Sequence, residues 1–378
     1  MTTRIVHVLT VADSLGFIDT VVRRAKDSGF EVIVVTSPDE RLNAFGRKLG
    51  VQTFGVEMPR RVSPTQDWES LQALHRLFLR LKPTLVHAHT PKGALLGTLA
   101  AEAAGVPVRL YQMRGLAYVT AKEPLRTILL TTERVTIAAA THVICQSRSL
   151  HREALAAGLV TELNSEVVLE GSNGVDAERF APDDALGNQL RLELKIPEGV
   201  PVVGFVGRLV RDKGIPELVE AFSQLTSIDA HLVLAGPFEP RDPVDETTRA
   251  RIASHPRIHA LGAVSDPRSV YSASDFVVLP SHREGFPNVP LEAAAMGKAV
   301  ITTRVSGCVD AVAEGATGLV VSVDAPRELR AAFERYFSAP SLAHEHGIAG
   351  RERVIARFSR ERIANAMVEV YRRQMSGI

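Results

Sequence analysis

Short β-branched runs alternate along this chain with amphipathic stretches long enough to be helices, and no other feature constrains the fold as much. Antiparallel neighbours can be joined by a tight turn. Parallel neighbours need a crossover of about a dozen residues, which is usually a helix. Arg4–Val11 reads as a strand followed by a helix over Asp19–Ser28, and Glu31–Thr36 as a strand followed by Arg41–Leu49. The pattern continues through Gln52–Val56, a leucine-spaced helix at Trp68–Leu81, Thr84–His89, an Ala-rich helix at Gly93–Ala104, Val108–Gln112, a helix from Pro124 to Ala139, and Thr141–Cys145. It pauses at Glu170-Gly171-Ser172-Asn173-Gly174-Val175-Asp176, a turn-rich stretch. It then restarts, with strands at Val202–Phe205, His231–Leu234, Ile258–Leu261, Phe276–Leu279, Ala299–Thr302 and Gly318–Val321. The expectation is an α/β protein of two consecutive parallel-sheet domains with a hinge near residue 172.

Length and charge agree with that reading. A chain of 378 residues suits two domains of about 100–200 residues each, and 45% hydrophobic with 23% charged residues is an ordinary globular composition. A net charge of +1 gives no global field to recruit nucleic acid. The charge is unevenly spread: residues 1–150 hold 19 basic and 12 acidic side chains, so the first half is the one expected to meet an anionic partner. Cys145 and Cys308 stand far apart in apolar contexts and read as small core residues of a reducing compartment. The start of the chain lacks a charged leader with an apolar core, and no run approaches the ~20 apolar residues of a membrane span. A cytoplasmic protein is expected.

Two loops carry the strongest chemical signals. The first is Ser281-His282-Arg283-Glu284-Gly285-Phe286-Pro287-Asn288-Val289-Pro290-Leu291-Glu292, which runs from a strand's carboxyl end into a short helix expected at Leu291–Met296. Open α/β sheets bind ligands at that edge, and a helix N-terminus offers unpaired amides to electronegative oxygens. Glu284 and Glu292 are suited to gripping vicinal hydroxyls, because a carboxylate only accepts hydrogen bonds. Gly285 would let a ligand approach the backbone. The spacing is also compatible with Glu292 merely complementing the helix dipole and Glu284 being a solvated loop charge. A glycosidase carboxylate pair is disfavoured, since both glutamates arise from one element.

The second loop is Gly204-Phe205-Val206-Gly207-Arg208-Leu209-Val210-Arg211-Asp212-Lys213-Gly214, ahead of a helix opened by Pro216. It is not a Walker loop, but Arg208 and Lys213 have the parts of a diphosphate clamp: a guanidinium fork and a point charge. In the first half, Ser14-Leu15-Gly16-Phe17 lacks a dinucleotide fingerprint. His87 and His89 could ligate a metal, yet no third ligand is evident, so no metal site is assigned. Arg114 ends the fifth strand, at the same edge.

Together, Gly207-Arg208-Leu209 with Lys213-Gly214, the Glu284–Glu292 pair and Asn173-Gly174-Val175-Asp176 resemble glycosyltransferase family 4 over essentially the whole chain. The segments His89-Thr90-Pro91-Lys92-Gly93-Ala94-Leu95-Leu96-Gly97 and Arg114-Gly115-Leu116 resemble the branch that builds bacterial surface polysaccharides on polyprenyl diphosphate. The resemblance implies a GT-B fold: two Rossmann-like domains facing a cleft, residues 1–172 with a returning helix in 360–378, and residues 173–359. It implies a retaining transferase that uses a nucleotide sugar, UDP-linked by expectation, with no cofactor or metal.

Arg208 and Lys213 would then hold the donor diphosphate, Glu292 the ribose, and Glu284 the transferred sugar. Gly16, Gly207, Gly285 and the amides of Phe286, Asn288 and Val289 would complete the donor contacts. The acceptor would be a lipid-linked saccharide met peripherally at the inner face of the cytoplasmic membrane. Two positions depart from the family pattern. Only Gly16 stands where many members have paired glycines, and Arg114 stands where many have a histidine, so Arg114 could serve either the donor diphosphate or an acceptor phosphate. Rival readings are a transferase with a small soluble acceptor, a nucleotide-sugar epimerase, and a non-catalytic nucleotide-sugar-binding protein.

Overall fold

The computed structural model describes residues 3–377. Its contacts divide the chain into two units, Met1–Asn173 with Arg360–Ile378, and Gly174–Ser359. The first unit is built on seven parallel strands: β1 (Arg4–Val8), β2 (Glu31–Thr36), β3 (Gln52–Gly55), β4 (Leu85–His89), β5 (Val108–Met113), β6 (His142–Cys145) and β7 (Ser165–Glu166). They lie in the order β3-β2-β1-β4-β5-β6-β7. Every residue of β4 is buried, and so are Ile33, Val34 and Val35 of β2. That explains why these strands read as unbroken apolar runs: a parallel sheet is covered on both faces. On one face Ile5, Val34 and Leu110 pack with Val22 and with Val368 and Tyr371 of the returning helix Arg360–Met375. On the other, Val6, Val35 and Val86 pack with Leu74, Phe78 and Ala100.

The second unit repeats the plan. Its strands β8 (Val202–Val206), β9 (His231–Ala235), β10 (Ile258–Gly262), β11 (Phe276–Leu279), β12 (Ala299–Thr303) and β13 (Gly318–Val321) are ordered β10-β9-β8-β11-β12-β13. In each unit the winding reverses between two hydrogen-bonded parallel neighbours, β1 with β4 and β8 with β11. An open sheet wound in this way receives its ligand at the carboxyl ends of those two strands. Both candidate loops leave the β8/β11 pair.

The expected α/β architecture is what the chain adopts, and the differences are local. β1 stops at Val8 rather than Val11, because the chain turns into a 3-10 segment at Ala12–Phe17. The helix expected from Trp68 begins at Pro64, where proline's missing N–H is no loss, and Asp67 accepts from the Ser63 amide at 3.2 Å. The two-residue strand β7 is too short to show a period. Cys145 and Cys308 are both buried and unpaired, and burial pushes each thiol up to about 12. Among the described residues no helix is long and apolar enough to cross a membrane.

Candidate functional site

In the second unit the two loops are laced together. Lys213 donates to Glu284 Oε1, which also accepts from Ser281 Oγ at 2.8 Å. The lysine side chain is 20% exposed and the glutamate 12%, so this pair is largely withdrawn from solvent yet reachable. Behind it, the His282 amide donates to the Asp212 carbonyl at 2.9 Å, and Arg283 pairs with the Asp212 carboxylate at 2.7 Å. Backbone sterics fix the approach. Gly214 precedes the helix Ile215–Ser223 at φ +70, and a Cβ there would lie 2.0 Å from the Pro280 carbonyl oxygen. Only glycine lets the loops touch.

The helix after the glutamate loop runs Asn288–Ala295, so it starts three residues before the expected Leu291. Pro290 still falls in its first turn, and Pro287 precedes the helix with no side-chain cap. The amides of Asn288 and Val289 therefore lie in the first turn, where a helix has no internal partners for its N–H groups. Phe286 contributes only backbone to this surface, since its ring is buried against Phe358 at 5.5 Å. Gly285 is covered as well: Gly307 packs so tightly that a Cβ on it would sit 2.3 Å from the Gly285 carbonyl oxygen.

Glu292 Oε2 accepts from the hydroxyl of the buried Tyr271 at 2.7 Å. Burial first, and the carboxylate second, hold that phenol well above its usual range, so it remains a donor. Arg208 lies in the turn after Gly207, 53% exposed, and pairs with Glu239 at 2.7 Å. The two expected clamp cations are thus on one loop but tied to different carboxylates. Sequence reasoning missed Tyr271, Glu239 and Gly307, none of which belongs to a recognisable spacing, and it quoted Ser281 at the head of the glutamate loop without assigning it a role.

The first unit holds the remaining expected residues. Gly16 sits in the Ala12–Phe17 turn with open space where a Cβ would go, so crowding does not require glycine there. Arg114, at the end of β5, donates to Asn173 Oδ1 at 2.8 Å and to Gln146 Oε1 at 3.3 Å, and its guanidinium lies 5.1 Å over the Phe17 ring. Another Arg114 nitrogen is 3.4 Å from His89 Nδ1. Burial brings the guanidinium down to about 10.

The absence of a third histidine needs correction. Parallel register puts His7 of β1 beside His87 of β4, and His89 lies two residues on, on the same face. His7 Nδ1 is 3.1 Å from His89 Nε2, and His87 Nδ1 is 2.8 Å from the Tyr371 hydroxyl. Their ligand atoms lie within 4.8 Å of one another, as do those of Glu217, His282 and Asp324 in the second unit. Burial and the neighbouring Arg114 bring His7 down to about 3 and hold His87 and His89 low as well, and that guanidinium repels a second positive charge. In the other set, His282 Nε2 lies 3.4 Å from Glu217 and 3.3 Å from Asp324, and these carboxylates, Glu217 first, raise the imidazole above its usual value.

Family models match both halves of the chain: a "Glycosyl transferase 4-like domain" over residues 18–168 and "Glycosyl transferases group 1" over 200–339. The capsular polysaccharide biosynthesis glycosyltransferase CapM of Staphylococcus aureus is 32% identical over 372 residues, 97% of this chain and 96% of CapM. The Escherichia coli UDP-Gal:alpha-D-GlcNAc-diphosphoundecaprenol alpha-1,3-galactosyltransferase is 29% identical over 261 residues, 67% of this chain and 66% of that enzyme. Among solved structures, Anabaena Alr3699/HepE in complex with UDP-glucose superposes with a TM-score of 0.83 at 19% identity, covering 98% of this chain and 99% of that one.

Proposed function

The chain belongs to glycosyltransferase family 4, with the GT-B fold, and on that premise we propose that it transfers a sugar from a UDP-sugar to a lipid-linked saccharide. The acceptor in this reading is carried on polyprenyl diphosphate, the product is a surface polysaccharide unit, and the anomeric configuration is retained. The observation that carries the reading is the Lys213–Glu284 contact at the carboxyl edge of the neighbouring strands β8 and β11, where a sheet of this winding receives its ligand. The name of the E. coli relative supports a UDP donor and a diphosphate-borne acceptor, and the HepE complex shows this fold holding UDP-glucose.

In this reading the donor diphosphate draws Lys213 from Glu284 and Arg208 from Glu239. As the bond from the anomeric carbon to the diphosphate oxygen breaks, its electron pair stays on the diphosphate. Two side-chain cations and the Asn288 and Val289 amides stabilise that charge, a role that needs no metal ion. Glu292, oriented by Tyr271, accepts from the ribose hydroxyls, and Glu284, released by the lysine, accepts from the transferred sugar. The acceptor hydroxyl attacks the face from which the diphosphate leaves and gives its proton to the departing diphosphate oxygen, without a protein nucleophile. Exposed Val119, Leu125 and Ile128 beside Lys122 and Arg126 support peripheral contact with the cytoplasmic face of a membrane, where each basic residue gains about 1 kcal/mol near anionic lipid.

A thermal-shift panel of UDP, GDP, ADP and their sugars, run with a chelator present, tests the proposal. UDP compounds alone should stabilise the protein, by about 2.7 kcal/mol at a hundred times the dissociation constant. A shift with GDP alone would overturn the donor assignment, and no shift with any nucleotide would favour a non-catalytic role.

A further inference from the structure

The recess around Arg114 in the first unit has an electrostatic imbalance that the donor site does not explain. It is lined by His87, His89, Gln112, Gln146, Asn173 and apolar side chains, and no carboxylate is among the described residues that line it. Arg114 therefore carries the only formal charge there, because the histidines are neutral. Its hydrogen-bond acceptors are the uncharged amide oxygens of Asn173 and Gln146 and, at 3.4 Å, His89 Nδ1, and its Nε is buried with no hydrogen-bond partner among the described residues. The contrast with Arg283 is direct, since that half-buried guanidinium has the Asp212 carboxylate at 2.7 Å. Withdrawing a cation from water without a counter-ion is costly, and the fold tolerates it best where a ligand supplies the anion.

A second donor points the same way. The Tyr371 phenol, kept protonated by burial, lies 2.8 Å from His87 Nδ1. With the hydroxyl donating to Nδ1, the imidazole proton sits on Nε2, which is buried and without a hydrogen-bond partner among the described residues. A guanidinium fork and an imidazole N–H together match the several oxygens of a phosphate group.

We infer that the Arg114 recess binds a phosphate oxyanion and, resting on the transferase reading above, that the phosphate belongs to the acceptor rather than to the donor. The probes are farnesyl diphosphate and inorganic pyrophosphate, titrated calorimetrically with UDP at saturation so that the Lys213 site is filled, and UDP titrated alone. The variants are Arg114→Gln and Asn173→Asp. The second is isosteric and places a carboxylate on the atom 2.8 Å from the guanidinium, so it supplies the missing anion internally.

Wild type should bind farnesyl diphosphate in the presence of UDP. Each variant should weaken that binding at least tenfold and leave UDP affinity within twofold, and Asn173→Asp should melt no lower than wild type. If Arg114→Gln does not fold, the isosteric variant carries the test. Three results overturn the inference: farnesyl diphosphate affinity unchanged in Asn173→Asp, UDP affinity lost in place of it, or pyrophosphate bound while farnesyl diphosphate is not. Because the readout is equilibrium binding, it stands apart from the transferase reading. A chain inert in every transfer assay would still show Arg114-dependent binding, whereas the nucleotide panel tests catalysis without involving Arg114.

Discussion

Tyr271 donates its hydroxyl to Glu292 at 2.7 Å from a fully buried position, so the carboxylate assigned to the donor ribose is aimed by a residue that no ligand needs to touch. Tyr271→Phe keeps the packing and removes that one hydrogen bond. A hydrogen bond to a charged group contributes about 1.5–3 kcal/mol, part of which Glu292 recovers by reorienting. The expected outcome is a donor KM raised about tenfold with kcat within threefold, measured from initial rates at varied UDP-sugar. A lowered melting temperature with KM unchanged would reduce Tyr271 to a packing residue.

Lys213 and Glu284 form a largely enclosed pair, 20% and 12% exposed, and removing the lysine should fall on turnover. Lys213→Ala is expected to lower kcat by about 10²–10³-fold, the range for deleting one preorganised charge-stabilising group. Glu170→Ala is the control: that glutamate pairs with Arg148 at 3.4 Å, in the other unit. It should retain activity within twofold. Equal activity for the two variants would remove the assigned site.

How much of this was legible in the sequence depended on whether the signal was local. The strands showed because a doubly covered parallel sheet writes its burial as consecutive residues such as Val32–Val35. The Glu284 and Lys213 loops showed because each is a continuous motif at a strand end. Their union did not, since only the β8–β11 pairing brings residues 71 apart in sequence into contact. His7 was invisible for the same reason: it joins His87 and His89 through parallel register, a relation between strands some 80 residues apart. Tyr271 and Asn173 carry no pattern of their own, and their significance lies wholly in the side chains they reach.

The loop contact itself can be tested through Gly214. Gly214→Ala introduces a Cβ 2.0 Å from a carbonyl oxygen at a φ of +70, so the loop must move away from Pro280. Left-handed strain and the clash together should cost about 2–4 kcal/mol of stability, read by urea unfolding. Turnover should fall alongside, because the displaced loop carries Lys213. An alanine variant as stable and active as wild type would show that the close approach of the loops is dispensable.

Glu133 sets a pH dependence unrelated to catalysis. Its carboxyl is buried in the helix Leu125–Ala139 and accepts from Tyr111 at 2.7 Å, and burial raises it from 4.5 to about 7 despite that bond. A raised acid is bound to its proton more tightly in the folded state than in the unfolded chain. Its contribution to stability is therefore complete below pH 4.5, declines as pH rises towards 7, and is lost above that. Glu133→Gln keeps an acceptor for Tyr111 and cannot ionise. Between pH 5.5 and 8 wild type should lose about 2 kcal/mol more stability than the variant, from the linkage of a shift of that size. The measurement is urea unfolding of both proteins at the two pH values, following the transition of the unit that carries Glu133. Parallel pH profiles would mean that the carboxyl is already ionised in the folded protein and is stabilised there by its surroundings.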